Sequence, residues 1–197
     1  MICLDVRGCD EMAKARKLDI DYDALRLVYP CETFRESFIA AIREYRAHKV
    51  VDFGYPEVEM DEDFAYFLKR CGERRQGIRV PKGFVPNTSF WLTDGVHYLG
   101  SGDVRHYLNE GLKKFGGHIG YSIRPQAWGH GLGTIQLKML LHEARKVGIQ
   151  TARLTCFDDN VGSYRVMEKN GAVMVNKVLN RVYGRNRLTR IYEIDLA

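Results

Sequence analysis

The sequence predicts one mixed α/β domain, and two observations carry that prediction. Strand-like and helix-like segments run in the order strand, two helices, hairpin, strand–helix, strand–helix and closing strand pair, with no internal repeat. The stretch from Gly116 to Val147, GGHIGYSIRPQAWGHGLGTIQLKMLLHEARKV, joins an apolar strand to an amphipathic helix through a glycine-rich turn. Its helical part places Leu137, Leu140, Leu141, Ala144 and Val147 on one face at 3.6 residues per turn.

Taken in order, residues 1–23 are polar and read as an N-terminal extension, with a candidate short helix from Asp10 to Leu18; residues 24–197 form the domain. Leu25 to Tyr29 (LRLVY) reads as a first strand, which Pro30 stops. Thr33 and Glu36 have capping-box spacing. Phe34, Phe38, Ala41, Ile42 and Tyr45 then mark one face of a helix to about His48. Asp61 can cap a second helix carrying Phe64, Phe67, Leu68 and Cys71. Gly77 to Pro86 is a linker. Thr88 to Thr93 and Val96 to about Arg105 flank Asp94-Gly95, a two-residue hairpin signal. YLNEGLKKF supplies a helical turn or two before Gly116-Gly117. Gly148 stands where a helix ends in the left-handed conformation. Thr151 to Phe157 alternates Ala152, Leu154 and Cys156 on one side. Asp158-Asp159-Asn160 brings capping chemistry to a short helix that Asn170-Gly171 ends. Ala172 to Val178 is a strand, Leu179 to Asn186 a basic loop, and Leu188 to Leu196 the final strand.

Composition narrows the function classes. The chain has 197 residues, 45% of them hydrophobic, enough for a sizeable core and unlike a disordered chain. No apolar run approaches the roughly 20 residues of a membrane span. The start, MICLDVRGCDEMAKARK, lacks the apolar region of a signal peptide. A cytoplasmic protein without a membrane partner is the expectation. The five cysteines are scattered, with no C-x-x-C, so neither a disulfide framework nor a metal site is indicated. The formal charge of +5 is modest and spread out. A nucleic-acid binder would show a basic stripe or a recognition motif, so no nucleic-acid partner is expected. A positive field also suits a highly anionic ligand.

The glycine turn is the candidate chemical site. Gly129, Gly131 and Gly133 let a ligand approach the main chain, and a helix N-terminus presents unpaired N–H groups and a positive dipole end. Phosphate fits such a place. The turn has no lysine after its glycines, as a P-loop requires. A dinucleotide turn needs a third glycine where Thr134 stands, at the head of a βαβ series.

A third possibility rests on two motifs. Arg124-Pro125 is followed by Trp128-Gly129-His130-Gly131-Leu132-Gly133. Further on stands Asn160-Val161-Gly162-Ser163-Tyr164-Arg165-Val166-Met167-Glu168-Lys169-Asn170-Gly171. In this order the chain, from about Leu25 onward, resembles the GNAT superfamily of acetyl-CoA-dependent N-acetyltransferases, whose signatures are [Arg/Gln]-x-x-Gly-x-[Gly/Ala] and Asn-x-x-Ser-x-x-x-Tyr-Glu-Lys-x-Gly. GHIGYSIRP and the upstream VRHYLN look most like a bacterial branch of acetyltransferases.

The resemblance implies an α/β fold of the α+β type, a single GNAT-like domain with a mixed, mostly antiparallel central sheet flanked by helices. It implies acetyl-CoA as cosubstrate and no metal. Backbone N–H groups of Trp128, Gly129, His130, Gly131, Leu132, Gly133 and Thr134 would cradle the pyrophosphate. Main chain of Tyr121, Ser122 and Ile123 would pair with the pantetheine arm and stabilise the oxyanion, and Asn160 and Ser163 would bind alongside. The acceptor, a small amine, an amino acid or a peptide N-terminus, would attack the thioester directly. A homodimer through edge strands or the final hairpin is a family-level expectation. Three departures stand out: Trp128 replaces the loop's Arg or Gln, Met167 the tyrosine acid, and Thr155 a glutamate found in some members. His118 is then the expected base and Ser163 the expected acid, with His106 and Tyr164 as weaker rivals. The alternative is a GNAT-fold protein that binds acyl-CoA without turnover. Tyr45, Phe53, Tyr55, Phe84, Trp91 and Tyr183 are candidates to line an acceptor site.

Overall fold

The structure is a computed structural model that describes residues 18–48, 50, 64–182 and 184–197. The candidate helix at 10–18 (all but Leu18), the Asp61 cap, Phe53, Tyr55 and Tyr183 lie outside the described residues.

β1 (Arg26–Val28) leads through a 3-10 turn at Glu32–Phe34 into α1 (Arg35–Ala47). That turn replaces the capping box: neither it nor α1 has a side-chain cap. The apolar face is as expected, with Phe34, Phe38, Ala41, Ile42 and Tyr45 all buried. α2 (Phe64–Arg75) follows, then β2 (Asn87–Thr93) and β3 (Tyr98–Arg105). The hairpin loop has four residues, not two. Asp94 Oδ1 accepts the N–H groups of Val96 and His97, at 2.9 and 2.7 Å, so its side chain closes a wider turn. After α3 (Glu110–Lys114) come β4 (Ile119–Ile123), α4 (Leu132–Lys146), β5 (Thr151–Phe157), α5 (Val161–Lys169), β6 (Val173–Val182) and β7 (Arg185–Asp195). Residues 179–186 are therefore mostly the paired arms of a long hairpin, not a basic loop.

The strands form two antiparallel sheets, ordered β1-β2-β3-β4 and β5-β7-β6. Successive side chains of a strand point to opposite faces, so each face of the first sheet has its own cover. α1 and α2 bury Trp91 and Tyr98 on one face. α4 packs on the other, with Leu137, Leu140, Leu141 and Ala144 against Phe90 and Val104. Val147, expected on that face, is exposed as the helix C-cap. Leu18 and Ile20 pack beside Leu92, Leu99 and Leu132.

Among the described residues the sheets meet at one bridge, Gly117 with Leu154. Gly117 has φ +64°, and a Cβ there would stand 2.4 Å from the Arg153 carbonyl oxygen. Only glycine lets the chains approach so closely. Beyond this apex β4 and β5 part, and their C-terminal ends wall a cleft.

Candidate active site

The cleft has a volume of about 680 Å³ and runs from the glycine turn, past β4, to Tyr45 of α1. At its mouth Gly129 and Gly131 have φ +79° and +76°, and added Cβ atoms would meet nothing within 4 Å. Gly131 caps α4 in the left-handed conformation with no side-chain cap. The Trp128 N–H is tied to Pro125 and that of Thr134 to Gly131. The amides of Gly129, His130, Gly131, Leu132 and Gly133 have no backbone partner among the described residues and are left to meet an anion, a narrower set than the sequence suggests. The Tyr22 hydroxyl donates to the His130 carbonyl at 3.0 Å, holding the loop from behind.

β4 forms the cleft floor. Arg105 N–H donates to the His118 carbonyl and Arg124 N–H to that of Leu99. Main-chain groups alternate along an antiparallel strand, so His118, Gly120, Ser122 and Arg124 bond toward β3. Tyr121 and Ile123 turn their N–H and C=O groups to the cleft. Trp128 takes one of these: its indole N–H donates to the Ile123 carbonyl at 2.6 Å. Among the described residues the Tyr121 N–H and C=O and the Ile123 N–H stay open to a ligand strand. Ser122 contributes only its side chain, whose Oγ accepts from Tyr45 at 3.2 Å and lies 3.0 Å from Ser101 Oγ. Burial pushes the Tyr45 phenol up to about 12.

α5 forms the far wall. Asn160 Oδ1 accepts the Ser163 N–H at 3.0 Å, so its expected ligand contact falls to the amide nitrogen. Ser163 lines the cleft, and the Tyr121 hydroxyl lies 3.0 Å from its carbonyl oxygen and 3.1 Å from its Oγ. Burial raises the Tyr121 pKa, so the phenol stays protonated. Sequence reasoning missed this pairing, and it missed Arg165 and Lys169, which sit one helical turn apart and line the same cleft. Their i, i+4 spacing was the available signal. Met167 is buried in the core and offers the cleft nothing.

His118 is not brought to this cleft. It lines a separate cavity with His106, Arg153 and Glu193. Its Nδ1 accepts the Arg153 N–H at 2.9 Å. With that lone pair engaged, the neutral ring carries its proton on Nε2 and has no lone pair to offer. Burial, then Arg153 and Arg105, lower its pKa, which keeps it neutral. His106 is hydrogen-bonded to Thr88 Oγ1 at 2.9 Å in the same cavity. Tyr164 stacks under the Arg190 guanidinium. Of the candidate acceptor-site aromatics, Tyr45 lines the cleft, Trp91 is wholly buried and Phe84 is exposed. Among the described residues no helix is long and apolar enough to cross a membrane, and no group of His, Cys, Asp or Glu could hold a metal ion.

A family model described as acetyltransferase (GNAT) domain matches residues 31–173. Solved structures with this fold include yncA from Salmonella typhimurium with its cofactor acetyl-CoA (15% identity, TM-score 0.59, covering 88% of this chain and 95% of that one). The ribosomal L7/L12 alpha-N-protein acetyltransferase RimL in complex with coenzyme A is 16% identical, with TM-score 0.65 and coverage of 87% and 93%. The microcin C7 self-immunity acetyltransferase MccE in complex with acetyl-CoA and AMP is 15% identical, with TM-score 0.64 and coverage of 87% and 92%. At these identities the likeness is one of fold. Comparison with curated protein sequences gives no match.

Proposed function

Because the chain belongs to the acetyltransferase (GNAT) domain family, we propose that it transfers an acetyl group from acetyl-CoA to a primary amine of a small molecule, an amino acid or a peptide N-terminus. The observation that carries this is the continuity of the cleft. One cavity joins a helix N-terminus that carries no side-chain cap, an open strand edge and a hydroxyl pair, which are a phosphate site, an amide-pairing site and a proton donor in line.

The residues fit the cosubstrate. The five open amides from Gly129 to Gly133 take the pyrophosphate. Arg165 and Lys169 supply the positive charge that Trp128, turned to Ile123, does not. The Ile123 N–H and the Tyr121 C=O pair with the pantetheine amides as an added strand would, with the Asn160 amide nitrogen alongside. Bound acetyl-CoA supplies an activated acyl group, a thioester. The Tyr121 N–H, nearest the apex, donates to the thioester oxygen as negative charge develops there. The amine nitrogen bonds to the carbonyl carbon and the C–S bond breaks, its electron pair leaving with sulfur. The Ser163 hydroxyl, held by Tyr121, donates a hydrogen bond to that sulfur. The amine's proton passes to water, since His118 has no free lone pair.

A cytoplasmic location is part of this reading, supported by the free thiols of Cys31, Cys71 and Cys156. The test is acetyl-CoA binding by calorimetry, with Gly131→Glu as control. The wild type binds and the variant, with a carboxylate in the phosphate site, does not. Binding then leads to an amine screen read by thiol release. A wild type that does not bind acetyl-CoA sinks the reading.

A further inference from the structure

The face of the sheet beside the acceptor side of β4 carries a carboxylate and a guanidinium, each anchored through one polar atom and each with a second that meets no described partner. Ser101, Asp103 and Arg105 of β3 alternate with the core residues and share the α1 face with Gly120 and Ser122 of β4. Ser101 opposes Ser122, whose hydroxyl lies in the cleft; Asp103, one pleat nearer the apex, opposes Gly120. A Cβ at Gly120 would meet only the Arg105 guanidinium, the nearer nitrogen at 3.5 Å. The strand edge beside the thioester site is therefore bare on this face except for a cation.

The carboxylate and the guanidinium are close without being spent on each other. Asp103 accepts from Asn87 at 2.9 Å and from Ser89 at 2.5 Å, both at Oδ1. Among the described residues Oδ2 accepts nothing. Arg105 is anchored through one terminal nitrogen, which donates to the Gly116 and Gly117 carbonyls at 3.0 and 2.9 Å. Its other terminal nitrogen, the one above Gly120, donates to no described residue. Residues two apart on a strand are roughly 7 Å from each other, and no ion pair within 4 Å links the two side chains. A half-buried guanidinium and carboxylate held apart suit a ligand carrying the opposite charges in the same order.

We propose that Asp103 and Arg105 bind the acceptor over Gly120 and select a free amino acid, its α-amino group on Asp103 and its α-carboxylate on Arg105; the group arrives as an ammonium and gives one proton to water before its nitrogen, then neutral, attacks the thioester. The order follows from position. Asp103 lies nearer Ser122 and the thioester, where the nitrogen must arrive; Arg105 lies toward the apex, where a non-reacting group belongs. This rests on the acetyltransferase reading above and narrows its acceptor.

The test compares free amino acids with their carboxamides as acceptors, by thiol release from acetyl-CoA, with acetyl-CoA affinity measured separately. The wild type turns over the carboxylates with at least tenfold higher kcat/KM. Arg105→Gln removes that preference by raising KM for the carboxylates alone, and Asp103→Asn raises KM for both classes. Acetyl-CoA affinity stays unchanged in both variants. The wild-type comparison holds whether or not the variants fold. Equal turnover of acids and amides overturns the proposal, as does bound acetyl-CoA with no amino acid acetylated. If the wild type binds no acetyl-CoA, the acetyltransferase reading itself has failed and this proposal falls with it.

Discussion

Tyr121 and Ser163 meet across the cleft, with the phenol oxygen 3.0 Å from the serine carbonyl and 3.1 Å from its Oγ. The contact ties β4 to the first turn of α5, the helix that follows β5, across the cleft that opens where β4 and β5 part at Gly117 and Leu154. It holds the cleft at a fixed width and aims the serine hydroxyl.

Two substitutions separate those roles. Ser163→Ala removes the proposed donor to the leaving sulfur and is expected to lower kcat about 100-fold, the lower end for loss of a general acid, with acetyl-CoA affinity kept. Tyr121→Phe keeps the donor and loosens it, costing about 1 kcal/mol of stability for one hydrogen bond and less than tenfold in kcat. Steady-state kinetics and calorimetry on both variants check this. Equal kcat for Ser163→Ala and wild type would remove Ser163 from the chemistry.

His118 links pH to stability. Its folded pKa lies below its ordinary value because of burial and the neighbouring Arg153 and Arg105. Above about pH 6.5, the ordinary histidine value, the ring is neutral in both folded and unfolded chains. As pH falls below that, the unfolded chain takes up the proton first, and stability is lost until the folded pKa is passed. Protonation also ends the bond that Nδ1 accepts from Arg153. Urea unfolding between pH 5 and 8 will show stability falling on the acid side, and less steeply in His118→Gln. The lowered pKa of His106 leaves part of the slope in that variant.

Gly117 is the second pivot of the cleft. Gly117→Ala forces an alanine to φ +64° and drives its Cβ into the Arg153 carbonyl. Left-handed backbone costs about 1–2 kcal/mol and overpacking about 1–3 more. A loss of about 2–5 kcal/mol in unfolding free energy is expected. Acetyl-CoA affinity should weaken as well, because the strands that wall the cleft part from this point.

The elements legible in the sequence were those whose partners lie within one segment. The face from Phe34 to Tyr45, the alternation of Ala152, Leu154 and Cys156, and the glycine turn all follow from local spacing, and each is buried or placed as that spacing demands. What was not legible depends on distant partners. His118 looked like a base until its Nδ1 met the main chain of a residue 35 positions away. β6 is exposed along its first half; beyond it Val178, Asn180 and Val182 are half-buried and alternate with exposed Leu179 and Arg181, an alternation that the residue types hide, so its basic residues read as loop. Asp94-Gly95 signalled a turn, but its length was set by which N–H groups the Asp94 carboxylate captured.

The Glu44–Arg124 ion pair is the plainest case of such distance, and it gives the strongest stability prediction. The two residues are 80 positions apart. Arg124 is 3% exposed and also donates to the Tyr98 carbonyl and the Ser37 hydroxyl; Glu44 also accepts the Gln126 N–H. The pair clamps α1 to the end of β4 where the chain turns toward the glycine loop. Glu44→Gln leaves the guanidinium buried without its counter-charge, which costs about 3–5 kcal/mol. Replacing both partners, as in Glu44→Leu with Arg124→Met, restores an apolar fit and costs less than the single change. Denaturant unfolding of the single and double variants measures this. A double variant as unstable as the sum of its singles would show that the charges do not act as a pair.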